Sequence, residues 1–234
     1  MKDSIQYGSS LIKFDLEYSD RKTLGIKVHP NKRVEVHAPI GATDQKIREK
    51  VKSKAHWILK QQEFFLSFHP LTPPRKFVTG ETHLYLGKQY RLRLIKSKEE
   101  SVKLYSGYIN IKSIDKSDKK NIENLLNIWY EEKAKVHFKQ LFEKRISNIM
   151  STRLEQTSLY CKWLKNRWGI CNAKGKITLN IELIKAPKKC IEYVIVHEIC
   201  HLSHLNHSKS FYILLEKHYP NWRETKYQLE HTMV

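Results

Sequence analysis

Apolar and polar residues alternate along much of the first half of the chain, a period that predicts strands. Leu11-Ile12-Lys13-Phe14-Asp15-Leu16 partly alternates. Thr23–Val28 and Arg33–His37 do so more clearly, with His29-Pro30-Asn31-Lys32 between them as a turn. Thr43 or Asp44 is then placed to cap a helix carrying Ile47, Val51, Ala55, Ile58 and Leu59 at helical spacing, extended by Trp57 and Phe64-Phe65. Strands resume at Lys76–Val78, His83–Leu86 and Gln89–Ile95. The second and third of these read as a hairpin about Gly87, and Ser106-Gly107 splits another, Val102–Tyr105 with Tyr108–Ile111.

The period then changes. A polar stretch, Ser113–Asp118, precedes a helical pattern from Lys119 to Arg153, with Ile122, Leu126, Trp129, Phe138, Phe142 and Ile146 on its apolar stripe. Lys133, Lys135, Lys139, Lys144 and Arg145 give this helix a basic face, for solvent or for nucleic acid. Short strands, Leu159–Leu164 and Lys176–Leu179, lie on either side of Asn172-Ala173-Lys174-Gly175. Pro187 opens a helix that is apolar on several sides and is therefore buried. No internal repeat is visible. The expected class is α+β: N-terminal antiparallel β-hairpins with one helix over 1–115, then a mostly helical domain with a small β-hairpin over 116–234.

Composition narrows the function classes. The 234 residues carry 43 Lys plus Arg against 24 Asp plus Glu, a formal charge of +19. That favours an anionic partner, nucleic acid or nucleotide, although the excess is spread over both halves without a basic arm. Hydrophobic residues at 40% exclude a disordered chain, and the low Gly (8) and Pro (7) exclude collagen-like and low-complexity readings. The start, MKDSIQYGSS, lacks the apolar core of a secretory signal, and no apolar run reaches the length of a membrane span. A cytoplasmic protein with reduced thiols and no membrane partner is expected. Cys161, Cys171, Cys190 and Cys200 lack C-x-x-C spacing and read as small buried hydrophobes.

The telling excess is histidine. Four of 12 fall within residues 197–207, beginning with His197-Glu198-Ile199-Cys200-His201, an H-E-x-x-H pattern. On a helix, positions i and i+4 lie about 40° apart and one turn along the axis, so two imidazoles can aim at one point. Neutral imidazoles suit Zn2+, and Glu198 stands beside them, able to reach a water there without being a ligand itself. A catalytic site wants a third protein ligand. His204 continues the stripe but lies about two turns from His197. His207 is better placed if the helix ends near His204 and the chain turns back at Asn206, with Ser208 capping a next helix whose apolar face is Phe211, Leu214 and Leu215. Glu216, Glu224 and Glu230 compete for the same role.

At these residues the chain resembles a known family. Tyr193–Leu202, followed by Asn206-His207-Ser208 and Phe211, is similar to the YgjP-like zinc metallopeptidases, which are related to the SprT-like and WLM groups. Arg167-Trp168-Gly169-Ile170-Cys171 resembles that family's R-W-G-x-C element, Ile170 standing where a small residue is usual. Ile177, Leu179-Asn180, Ala186-Pro187, Trp57-Ile58 and Tyr85-Leu86-Gly87-Lys88 also fit, so the resemblance spans nearly the whole chain. It implies a zincin-like C-terminal half, with His197, His201 and His207 holding Zn2+ and Glu198 as general base. The substrate would be a peptide or protein. Lys176–Asn180 is the expected edge strand for an extended substrate, Arg167 a candidate to stabilise an oxyanion, and Glu192, Glu216 and Glu224 candidates to accept the second N–H of a ligand histidine. Two rival functions use the same centre: a metal-dependent hydrolase of a nucleotide or other phosphate substrate, and a nucleic-acid-binding module with a structural zinc, which would need His204 or Glu216 as fourth ligand.

Overall fold

The computed structural model describes residues 2–29, 31–66, 74–149, 157–165 and 167–232. The chain forms two compact units, Met1–Thr72 and Pro73–Val234. The polar stretch near residue 115 lies inside the second unit, between a strand and a helix that share one core.

In the first unit, β1 (Lys2–Tyr7), β2 (Ser10–Ser19), β3 (Gly25–Val28) and β4 (Val34–Pro39) form a sheet in the order β1-β2-β4-β3. The β2–β4 pair is parallel and the others antiparallel. Alternate residues Ile12, Phe14, Leu16, Val34, Val36 and Ala38 bury against Ile47, Val51, Ala55 and Ile58. Those four come from two helices, not one: α1 (Asp44–Ser53) and α2 (Ala55–Leu66) meet at Lys54, whose ψ of 5° leaves the helix without any Gly or Pro. Thr43 stands at the N-cap but makes no side-chain capping bond.

The second unit opens with β5 (Thr82–Tyr85), β6 (Lys88–Lys96), β7 (Ser101–Tyr105) and β8 (Tyr108–Ser113), in the order β5-β6-β8-β7 with β6 and β8 parallel. This is the topology of the first sheet again, and like it is followed by a helix. The repeat lies in the connectivity and has no counterpart in the residues. Lys76–Val78 is irregular instead of a strand. The N–H groups of Lys76 and Phe77 donate to the Glu81 carboxylate at 2.8 and 2.7 Å, which holds Phe77 at φ +54°.

Next comes α3 (Lys119–Ile149); its expected extension to Arg153 falls outside the described residues. It buries Ile122, Leu126, Trp129, Tyr130, Ala134, Phe138, Phe142 and Ile146. Lys135 and Lys139 pair with Glu131 and Glu143 one turn away, so part of the basic face is neutralised on the helix itself. A third sheet follows, of β9 (Ser158–Lys162), β10 (Gly169–Cys171) and β11 (Lys176–Asn180) in the order β10-β11-β9. A 3-10 turn (Ile181–Lys185) leads to α4 (Lys188–Cys200), with α5 (Lys209–His218) and α6 (Trp222–Thr232) completing the unit. The core of this unit is continuous from the β5–β8 sheet through α3 to α4. Cys190 and Cys200 are buried within it, and burial pushes their thiols up to about 11 and about 12. No helix among the described residues is long and apolar enough to cross a membrane.

The β5–β6 turn fixes the start of α4. The N–H groups of Leu86 and Gly87 donate to the carbonyls of Ile184 and Lys185 at 2.8 and 3.0 Å. Gly87 has φ +79°, and a Cβ there would meet backbone and ring atoms of Pro187 at 2.8–3.0 Å. Gly87→Ala is therefore expected to destabilise the second unit by about 2–4 kcal/mol, from a left-handed backbone plus overpacking. Urea denaturation measures this, and a loss under about 0.5 kcal/mol would contradict so close an approach.

Candidate metal centre

α4 is buried on nearly every side, at Cys190, Ile191, Tyr193–Val196, Glu198, Ile199 and Cys200. Polar groups in such a helix need partners or a use. The helix ends at Cys200, with His201 at the C-cap. The Cys200 carbonyl accepts from both Ser203 and His204 N–H at 3.1 Å, which closes the turn. Asn206 does not take the left-handed conformation expected of it; the return is made by the turn at 201–203. Ser208 caps α5, its Oγ accepting from Phe211 N–H at 3.4 Å.

This turn brings one nitrogen each of His197, His201 and His207 within 4.8 Å of one another. Nε2 of His197 and Nε2 of His207 are 3.0 Å apart. Phe211 is fully buried beneath them, its ring centroid 4.9, 4.6 and 4.8 Å from those of His197, His201 and His207. His201 Nδ1 lies 2.9 Å from the His204 carbonyl; as donor there it leaves Nε2 with a lone pair. His204 thus meets the group through its carbonyl, and its ring is not among the three whose nitrogens converge. Burial, then the neighbouring His201 and His207, pushes His197 down to about 3. His207 is lowered by burial first and by His201 next. Three imidazoles whose nitrogens converge on one point are a donor set that fits a cation. No fourth His, Cys, Asp or Glu among the described residues joins the group. Glu216 is engaged elsewhere, accepting from Trp222 Nε1 at 2.6 Å and Arg223 Nη1 at 2.9 Å, and Glu192 pairs with Arg145 at 2.7 Å. No carboxylate accepts from His197 Nδ1, which is buried without a partner among the described residues.

Glu198 lies beside the triad, only 5% exposed and without a hydrogen bond from any described residue. Burial pushes its carboxyl up to about 7, against the opposing pull of the exposed Arg167. Its side chain packs directly on Gly169: a Cβ at that position would stand 2.6 Å from Oε1, 2.7 Å from Cγ and 2.8 Å from Cδ of Glu198. The sequence singles out the R-W-G-x-C element but not this use of its glycine. Asn180 fixes the segment that brings Gly169 there. Its Nδ2 donates to the carbonyls of Leu164 and Arg167, both at 2.9 Å, and its Oδ1 accepts from Glu182 N–H at 3.1 Å and Leu164 N–H at 3.3 Å. Only a primary amide satisfies all four.

The hairpin also corrects an expectation. Lys176–Asn180 is not an edge: β11 lies between β10 and β9, because the parallel partner Ser158–Lys162 covers its other side. The edge beside Glu198 is β10. Asn180 N–H donates to Trp168 O at 2.8 Å and Asn172 N–H to Lys176 O at 3.1 Å, so by alternation Gly169 and Cys171 turn their main-chain groups away from β11. Ile170 is 37% exposed there, which leaves room for a larger side chain than is usual at that position. Two clefts run along this hairpin. One, of about 220 Å³, is lined by Trp168, Gly169, Tyr193, His197, Glu198 and Lys226. The other, of about 320 Å³, is lined by Asn172–Gly175 and His201–Ser203 with Leu205 and Thr157.

The profile of one known family, described as YgjP-like, metallopeptidase domain, matches residues 22–232. No curated protein matches the chain.

Proposed function

We propose, from the premise that the chain belongs to the YgjP-like metallopeptidase family, that it is a zinc-dependent peptidase with Glu198 as general base. The observation that carries this is a buried carboxylate with no hydrogen bond from any described residue, pressed on Gly169, beside three imidazoles gathered at one point.

His197, His201 and His207 are the proposed ligands, and three nitrogen donors with no fourth group among the described residues match an open catalytic site better than a closed structural one. When bound, zinc supplies Lewis acidity, polarising a carbonyl and making a water more acidic. The protein's own residues do the rest. Glu198 would take a proton from the attacking water on a carboxylate oxygen and return it to the leaving amine. His201 is oriented by the His204 carbonyl, and Phe211 blocks water from beneath the triad. The substrate is read as an extended peptide lying antiparallel to β10, its main chain pairing with the outward groups of Gly169 and Cys171, its side chains in the two clefts.

The test begins with the purified chain stripped by a chelator. Hydrolysis of casein-derived peptides should vanish and return with one equivalent of Zn2+. Release of phosphate from nucleoside triphosphates by the zinc-loaded protein, without peptide cleavage, would defeat the peptidase reading.

A further inference from the structure

We propose that the outer face of the β5–β8 sheet binds single-stranded nucleic acid. The four strands contain six Lys or Arg and no Asp or Glu. The first sheet, with the same topology, carries Asp3, Asp15, Glu17 and Glu35 among only three Lys. On α3, Lys135 and Lys139 pair with Glu131 and Glu143. Within the strands of the β5–β8 sheet, then, no acidic residue offsets the positive charge.

Register aligns four of these six, Arg91, Arg93, Lys103 and Lys112, on one face. Leu92, Ile109 and Ile111 point into the core, so their neighbours point out. Across the sheet, Arg91 is beside Tyr108, which is opposite Tyr105; Arg93 is beside Asn110, opposite Lys103; Ile95 is beside Lys112, opposite Ser101. Arg91, Arg93, Lys103, Tyr105 and Lys112 are exposed. None of the four cations has an ion-pair partner among the described residues. Rows repeat every ~6.7 Å along the strands, near the reach between successive phosphates of an extended strand.

The tyrosines favour bases over a plain polyanion. Tyr105 is 76% exposed, and the Arg93 guanidinium stands 4.1 Å from the Tyr108 ring centroid. Both tyrosines flank a tight turn, with Ser106 at φ +49° and Gly107 at φ +79°, which Asn110 braces by donating to the Tyr105 and Tyr108 carbonyls at 3.3 Å. An exposed ring face stacks on any base, and cations beside it take the backbone. A four-stranded face is too broad for the groove of a duplex, which admits a helix or a two-stranded ribbon. With the Asn110 amide committed to the turn, binding should be tolerant of sequence.

Fluorescence anisotropy of a labelled 15-residue oligothymidylate with the whole chain tests this. Affinity should fall with salt at a log–log slope of about −3, as four phosphate contacts require on a single strand. The variant Arg91→Ala/Arg93→Ala/Lys103→Ala/Lys112→Ala should lose tenfold or more and flatten that slope. Tyr105→Ala should weaken the single strand about tenfold but leave a duplex of the same length unchanged. Lys135→Ala/Lys139→Ala on α3 should bind as wild type. Circular dichroism checks that each variant is folded. Wild-type binding by the sheet variant, an equal loss in the α3 variant, or equal competition by poly-glutamate would overturn the proposal. Since binding is read without hydrolysis, its failure is distinct from failure of the peptidase reading.

Discussion

Glu198→Gln is expected to lower kcat about 10³-fold while metal content stays at the wild-type level. The amide has the size of the carboxylate and cannot accept a proton. Glu198 is not one of the three residues whose nitrogens converge, so its loss should leave metal retention alone. Stability should not fall. The carboxylate is 5% exposed without a hydrogen bond from the described residues, and burial already disfavours its charge. A neutral amide in that place is tolerated at least as well. Elemental analysis, thermal melting and peptide turnover on one preparation separate the three readouts. Undiminished turnover would remove Glu198 from the mechanism.

Gly169→Ala is expected to lower kcat by about 10²-fold with metal and fold retained, the cost of displacing a reacting group by roughly 1 Å. The added methyl would meet three atoms of the Glu198 side chain within 2.6–2.8 Å. Those atoms belong to a flexible side chain, so the least costly response is for Glu198 to move. The backbone at Gly169 is not left-handed, and alanine is no worse than glycine in a strand. Stability should therefore shift by less than about 1 kcal/mol. A wild-type rate would mean that Glu198 is free to rearrange without cost. A gross loss of stability would mean that the hairpin, not the side chain, yields.

What was legible in the sequence was local. The helical period of His197 and His201, the buried character of α4 and the Ser208 cap each depend on residues within a turn or two, and all appear in the fold. The strands of both large sheets, β1 (Lys2–Tyr7) apart, were legible from alternation. Their order was not, because the parallel β2–β4, β6–β8 and β9–β11 pairs join segments whose partners no local signal names. That is also why Lys176–Asn180 read as an edge. Gly169 and Asn180 stood inside a recognisable motif, yet their work lies in contacts with residues 29 and 13–16 positions away along the chain. The break at Lys54 has no Gly, Pro or cap to announce it.

All three converging imidazoles come from eleven consecutive residues, 197–207, whereas the contact that sets Glu198 comes from a different hairpin. Chelation by such a short segment closes a small loop and needs little of the rest of the chain to be in place. Local opening of the β10–β11 hairpin would release the carboxylate and leave the histidines together. Metal occupancy and active fraction are then separate quantities. A preparation can be stoichiometric in metal and still hold a large idle population, so an active-site titration, not a metal assay, is the proper denominator for its specific activity.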